Sequence, residues 1–461
     1  MPKKLPPVPV PGSLKLRKTL SAPGLLQRVR DCFEAIPDHR GKAPEYPLVD
    51  VLMSGLAMFS LKDASLLQFD RQRHDEVRRH NLETLFGIPK APSDSQVRTV
   101  LDKVKPHHLR PVFRAIHQEV QRQGVLEGYR FLGKFLVSAD GTGTFNSGAI
   151  HCPDCCIKTH KDGRVEYYHQ MLGAVIVHPD KKAVLPFFPE AITQQDGSKK
   201  NDCESNAAKR LMPRLREDFP RLDMILLEDN LSCNGPHIKL LKSQNYSFII
   251  TAKYAANSVL LKTVLAGLAE GSTQEITGKT AKGNACGYRY ANNVPLNLEH
   301  KDLLVNYIDY WETRPDGTDF IYACVTDIPL TADNVADVVR AGRSRWKVEN
   351  ETFNTLKNLG YNLEHNYGHG KEHLSTVFAT LMMLAFLIDQ IQEACCQYFQ
   401  AARARFHSRT SLWEKIRGMF SEHLIGDWES FFAAIIWGYE RADLTPKGFE
   451  TVTMKPIQTY T

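Results

Sequence analysis

For a chain of 461 residues this one is poor in cysteine, with ten in all. That count excludes a disulfide scaffold and leaves free thiols or metal ligands. Long hydrophobic runs are lacking too. The longest, "VFATLMMLAFLIDQI" from Val377 to Ile391, is too short for a clean membrane span and carries Asp389, so it reads as a buried helix. No apolar segment of the signal-peptide kind opens the chain, which predicts a cytoplasmic protein without a membrane partner. Residues 1–30 contain seven Lys or Arg and no Asp or Glu. Such an arm suits contact with phosphate, or serves as a disordered solubilising tail. What remains is ordinary: 43% hydrophobic residues, 24% charged residues and a net charge of +6 describe a globular chain long enough for two or three domains.

Helical periodicity governs residues 25 to 125, in "LLQRVRDCFEAI", "VDVLMSGLAMFSLK" and "SDSQVRTVLDKV", the last begun by an N-cap serine at Ser93 or Ser95. Basic clusters such as "RQRHDEVRRH" interleave with these helices and fit a DNA-binding module or a solvated surface. From residue 131 the pattern turns to strands. "FLGKFLVSAD" is an apolar run ending at Asp140, followed by "YYHQMLGAVIVHP" and "KAVLPFFPE". A helix ("NDCESNAAKRLMPRLREDF"), a short buried strand stopping at Asp229 ("LDMILLED"), a second helix ("NGPHIKLLKSQ") and another strand ("YSFIITAK") complete an α/β unit. Between residues 254 and 340 the stretches "QEITGKT", "CGYRYANNVPLNL", "LLVNYIDYWET" and "DFIYACVTDI" read as strands with turns.

Asp140 and Asp229 stand at the ends of buried strands, where acids face the crevice that opens beyond the strands' carboxyl ends. A third acid lies in "RSRWKVENETFNTLK". At about 100° per residue, Trp346, Phe353 and Leu356 share one helical face, and Glu349 falls among them, one turn beyond Arg345. A carboxylate on a burying face needs a cation, a metal or a proton. Convergent Asp and Glu oxygens suit hard divalent cations, Mg2+ or Mn2+, and two such ions can activate a nucleophilic oxygen and stabilise a leaving oxygen on a phosphodiester. On this reading Glu349 faces metal. Glu228 is a rival to Asp229, since strand alternation turns only one of the two inward, and Glu351 is a rival to Glu349, although the helical face prefers Glu349.

The stretches "SADGTGT", "LLEDNLSCNGPHIKLL…FIITAK" and "RWKVENETFNTLK" resemble the three acidic motifs of bacterial insertion-sequence transposases with an Asp-Asp-Glu site. The group in question carries a β-rich insertion before its glutamate. "IPDHRGKAPEYPLVDVLMSGLAMF" is similar to the helical segment that precedes the catalytic domain there. The resemblance implies an α/β, RNase H-like (retroviral-integrase-like) catalytic domain at 129–253 and 341–395, interrupted by a β-rich insertion at 254–340. A basic Pro-rich arm at 1–24 and a helical DNA-binding region at 25–128 would precede it, and a helical region at 396–461 would follow. It implies Asp140, Asp229 and Glu349 as the catalytic, Mg2+- or Mn2+-binding triad. The activity implied is cleavage of transposon ends and strand transfer into target DNA. The partners would be double-stranded DNA, as terminal inverted repeats and target, and a second copy of the chain on that DNA. The setting would be the cytoplasmic nucleoid.

Arg345 and Lys357 would match the DNA-contacting Arg and Lys of the group's Tyr-Arg-Glu-Lys signature. Its Tyr falls at Gly342, however, and the Glu-to-Lys spacing is one residue longer than usual. Trp311, with Tyr307 and Tyr310 beside it, is available to stack a flipped base of the DNA end, although aromatics in strands also serve as packing. A catalytically inactive DNA-binding relative and a metal-dependent nuclease without strand transfer remain open as alternatives.

A second metal signal is "HCPDCCIKTHKDGRVEYYHQ". Cys152, Cys155 and Cys156 with His160 offer the soft S and N ligands of a tetrahedral structural Zn2+ site, with Cys203 or His169 in reserve. The alternative is a hairpin loop with free thiols. Basic helices in "RARFHSRTSLWEKIRGMF", near the C-terminus, fit contact with DNA, another protomer or water.

Overall fold

The computed structural model describes residues 5–41, 44–193, 203–253, 258–438 and 449–451. Lys3 and Lys4 of the basic arm, and the Pro- and Thr-containing tail beyond residue 451, lie outside the described residues. The chain opens with six helices: α1 (Ala22–Glu34), α2 (Leu48–Leu61), α3 (Leu66–Gln72), α4 (Glu76–Phe86), α5 (Asp94–Leu101) and α6 (Arg110–Arg122). Local chemistry fixes their ends. Ser93, the N-cap of α5, forms a reciprocal capping box with Gln96. Asp75 caps α4, and Gly87 closes it in the left-handed region at φ 68°.

A mixed α/β region follows, built on one large sheet. Its first strands are β1 (Arg130–Phe131), β2 (Lys134–Ser147), β3 (Cys156–Thr159), β4 (Val165–His178), β5 (Lys181–Pro186) and β6 (Glu190–Ile192). Helix α7 (Glu204–Asp218), strand β7 (Met224–Glu228), helix α8 (Gly235–Ser243) and strand β8 (Ser247–Thr251) come next. Helix α9 (Ser258–Glu270) precedes four antiparallel strands, β9 (Thr273–Lys279), β10 (Ala285–Pro295), β11 (Leu304–Thr313) and β12 (Asp319–Thr326). The main path of the sheet runs β3-β4-β2-β7-β8-β12-β11-β10-β9. β2, β7 and β8 are parallel, and β12 joins β8 antiparallel, so the strands after residue 270 extend the same sheet. β7 is buried at every position, as a strand covered on both faces requires.

After β12 the chain forms α10 (Val335–Arg343), a 3-10 turn (Ser344–Trp346), a π-helical turn (Val348–Phe353) and α11 (Asn354–Asn358). Helix α12 (Leu374–Cys395) is long and apolar enough by length and composition to cross a membrane, but 89% of its apolar window is buried inside the fold, against α2 and β5 among others. Its Asp389 is compensated within that core: Lys62 Nζ lies 2.5 Å from Oδ2, and the Tyr361 hydroxyl donates to the same oxygen.

Helices α13 (Gln397–Ala404), α14 (Arg409–Glu422) and α15 (Trp428–Trp437), with the small β13 (His423–Ile425) and β14 (Phe449–Thr451) pair, fold back on the N-terminal helices. Asn81 of α4 donates to the carbonyls of Phe420 and His423, and Trp428 Nε1 donates to Leu85 O. The basic C-terminal segment is thus docked on α2 and α4. Part of the basic arm is docked as well: Arg17 donates to Gln123 O, and Pro9 O accepts from Trp437.

Candidate active site

The last paired positions of the parallel strands β2 and β7 are Ser138 and Leu227. Two residues beyond them stand Asp140 and Asp229. Parallel neighbours are about 4.8 Å apart, so both acids follow directly where the β2–β7 pairing ends. β2 does not stop at Asp140, as the sequence suggested. It runs on to Ser147 paired with β4, and only its β7 partner ends. Asp229 Oδ1 accepts from Leu231 N at 2.9 Å and caps the short turn Asn230–Ser232.

Glu349 reaches this point differently from the regular helix expected. Trp346 is 57% exposed, whereas Val348, Thr352, Phe353, Thr355 and Leu356 are buried. The cause is the π turn. Closing i→i+5 takes one more residue into the turn than an α-helix does, so a phase of 100° per residue fails across it. Phe353 lies on Gly173, the residue of β4 paired with Asp140; a Cβ at Gly173 would come within 3.0 Å of the ring. This contact seats the segment on the sheet and leaves Glu349 on the cleft side, with 48% of its side chain exposed.

Arg345 lies between the first and third carboxylates. Nη1 donates to Asp140 Oδ2 at 2.9 Å and Nη2 to Glu349 Oε1 at 2.8 Å. Ser138 Oγ donates to Arg345 O at 2.7 Å and pins the turn to β2. A fourth acid completes the group. Glu204, the first residue of α7, lies on the backbone of Gly141, where any Cβ would collide with Oε1. Burial raises the pKa of Glu204, and the Asp229 charge adds to the rise. Burial, reinforced by a hydrogen bond with Glu349, pushes Asp140 up to about 6, although Arg345 opposes it. Arg345 therefore bridges Asp140 and Glu349, while the Asp229 charge acts on Glu204. Sequence reasoning missed Glu204 because an acid at a helix start is usually a dipole partner; the Gly beside Asp140 was the available signal.

Glu228 points away from this cleft. It is buried, 2.6 Å from His237 Nε2, and although burial lowers the pKa of His237, the charge and hydrogen bond of Glu228 together outweigh it and hold the imidazole above its ordinary value. Glu351 lies near Lys347, whose Nζ donates to the carbonyls of His178, Pro179 and Lys181. Lys357 pairs with Glu364 at 2.7 Å. At Gly342 a side chain would collide with the Tyr322 hydroxyl, so a phenol from β12 fills the space where the signature's Tyr was expected.

Trp311 covers Gly287 on the neighbouring strand. Tyr307 and Tyr310 are buried, with their hydroxyls on Asp309 and Glu312. Beside Arg345 is an open, mostly apolar cleft of about 380 Å³ lined by Thr251, Phe320, Tyr322, Arg343 and Trp346. Its exposed aromatic is Trp346.

The soft ligands gather elsewhere. Cys152 and Cys155 meet His169 of β4 and His369, a residue the sequence reading did not include. Cys156 and His160, which it did include, stand outside this group. Cys156 Sγ is directed to Ile192 O, and His160 Nε2 lies 2.7 Å from Glu166. Cys203 is exposed at the N-cap of α7. His369 lies 200 residues from His169, and no local spacing could have joined them.

No protein-family model and no curated protein matches the chain. Among solved structures, it is similar to a piggyBac transposase seen in a synaptic complex with hairpin DNA. The match covers 92% of this chain and 81% of that one, at 11% identity and a TM-score of 0.38. A likeness at that TM-score transfers neither residue roles nor activity.

Proposed function

We propose that the chain is a DNA transposase of the Asp-Asp-Glu type, with an RNase H-like core carried by β2, β4, β7 and β8 and a β-rich insertion spanning α9 to β12. The observation that supports this reading is the hold of Arg345 on both Asp140 and Glu349, with Asp229 following the neighbouring parallel strand. The donor set fits a hard divalent cation: all oxygen, partly exposed, and apart from the cysteines and histidines. Asp140, Asp229 and Glu349 would hold Mg2+ or Mn2+, with Glu204 beside them. When bound, such ions activate a nucleophilic oxygen and stabilise the leaving oxygen of a phosphodiester.

The chain's own residues do the rest. Asp140, raised to about 6, would serve as a ligand in its ionised form above that pH. Arg345, once released from Asp140 and Glu349, would bind a backbone phosphate, and Lys357, about two turns beyond Glu349, would join it. Trp346 offers a stacking face next to the carboxylates, as Trp311 does on the insertion. The reaction is hydrolysis at a transposon end followed by attack of the freed 3′-hydroxyl on target DNA. The partner is double-stranded DNA, bound by two copies of the chain, and the setting is the cytoplasmic nucleoid.

The test is incubation with DNA carrying the sequences that flank the coding region, with Mg2+ or Mn2+. Nicked ends and joined products are expected. Nicks without joining identify a nuclease, and binding without either identifies an inactive DNA-binding relative; both outcomes overturn the reading.

A further inference from the structure

We propose that Cys152, Cys155, His169 and His369 form a closed structural Zn2+ site that ties the β2–β4 hairpin to the segment leading into α12. All four residues are buried, and one ligand atom from each lies within 4.8 Å of the others. Five of the six spacings are close to those of tetrahedron edges, and the sixth, between Cys152 and His369, is within 4.8 Å. Zn–S bonds of about 2.3 Å and Zn–N bonds of about 2.0 Å place sulfurs about 3.8 Å apart, sulfur and nitrogen about 3.5 Å apart, and nitrogens about 3.3 Å apart. Here Cys152 Sγ and Cys155 Sγ are 3.8 Å apart. His169 Nε2 lies 3.4 Å from Cys152 Sγ and 3.3 Å from Cys155 Sγ. His369 Nε2 lies 3.3 Å from Cys155 Sγ and 3.1 Å from His169 Nε2. The sulfurs are too far apart for a disulfide, which needs about 2.05 Å.

The surroundings aim these atoms at a common centre. His369 Nδ1 donates to Gly370 O at 2.9 Å, which fixes the tautomer and leaves Nε2 as the free lone pair. Gly370 has φ 73° and the Asp102 carboxylate against its Cα, so the residue after His369 must be glycine. The Phe145 ring lies 4.4 Å from the His369 ring, and Phe145 is the register partner of His169. Two thiolates and two imidazoles with no remaining open position suit structural zinc and not a catalytic or hard cation. Bound there, zinc would close a loop between residues 155 and 369, joining the strand of Asp140 to the chain that leaves the Glu349 segment. The site stands independently of any reaction on DNA.

Elemental analysis of untagged protein, grown with supplemental zinc and dialysed, should find about one zinc per chain. Replacement by Co2+ should give the visible bands of a tetrahedral thiolate–imidazole centre. His369→Asn, His169→Asn and Cys152→Ser should each lose the metal, while Cys156→Ser and His160→Gln keep it. Because some variants can fail to fold, the wild-type protein supplies its own test: titrating its thiols should release zinc to a chromogenic chelator with a fall in Tm. Folded wild-type protein without zinc overturns the proposal, whether Cys152 and Cys155 are free or disulfide-bonded. Full retention of zinc in folded His369→Asn overturns the ligand set.

Discussion

The carboxylate cleft and the cysteine–histidine cluster share the same hairpin, yet they are opposite kinds of place. Asp140 and the Phe145–His169 pair lie on the β2–β4 ladder, and each group is completed from beyond residue 340, by Glu349 or His369. In the cleft the donors are oxygens, 21% exposed at Asp140 and 48% at Glu349, and a side chain that can be displaced, Arg345, bridges them. In the cluster the donors are sulfur and nitrogen, all four residues buried. One scaffold therefore supports an open site, suited to ions that admit a substrate, and a closed one, suited to an ion that only holds. Donor chemistry and access decide between them.

Substitutions that strike only one site separate the two. The largest effect is expected in the cleft: Asp140→Asn, Asp229→Asn and Glu349→Gln should each lower DNA cleavage by about a thousandfold or more while zinc content and Tm stay near wild type. Glu351→Gln should remain active. If Glu351→Gln is inactive and Glu349→Gln is not, the third ligand has been misassigned.

Glu204→Gln should do less. As a neighbour of the ligands it is expected to lower activity about 10- to 100-fold, with a higher Mg2+ requirement as the sign that it acts through the metal. An unchanged Mg2+ dependence would reduce Glu204 to a packing role.

Smaller again is Arg345→Ala, which should weaken end-DNA binding and flatten the salt dependence by about one counterion. A salt slope identical to wild type would make the guanidinium a partner of Asp140 and Glu349 alone.

The smallest effect belongs to the other face of β7, where Glu228 meets His237. The pKa of His237 is raised in the folded protein, so the pair's contribution to stability is complete below about pH 6.5, the unfolded value. It is lost as pH rises through the folded value. Denaturant midpoints should fall across that window in the wild type, and the fall should be smaller in His237→Gln. Equal pH dependence in the two proteins would remove the pair from the account.

Much of the sheet was legible in the sequence because buried strands announce themselves by apolar runs. β7, β8 and β9 to β12 fall where those runs lie, and Asp229 follows its strand as the pattern required. What escaped is non-local or depends on an irregular backbone. Helix α9 was missed in a segment read for its strands. Trp346 was assigned to a buried face because a constant helical phase was assumed across residues that form a 3-10 turn and a π turn. Glu204 and His369 reach their sites by packing between distant segments, Glu204 against Gly141 and His369 against Phe145 and Asp102. A single sequence does not encode such approaches in its spacing.

The π turn at Val348–Phe353 has a consequence for how this segment tolerates changes in length. One residue more or fewer in a regular helix rotates everything after it by about 100°. Here the turn stores a residue, so a chain shortened by one between Glu349 and Phe353 can revert to α-helix with Phe353 still on Gly173 and Lys357 still in phase. Insertions and deletions elsewhere in the segment have no such reservoir. Related chains should therefore differ in length inside this turn and keep constant spacing on either side of it.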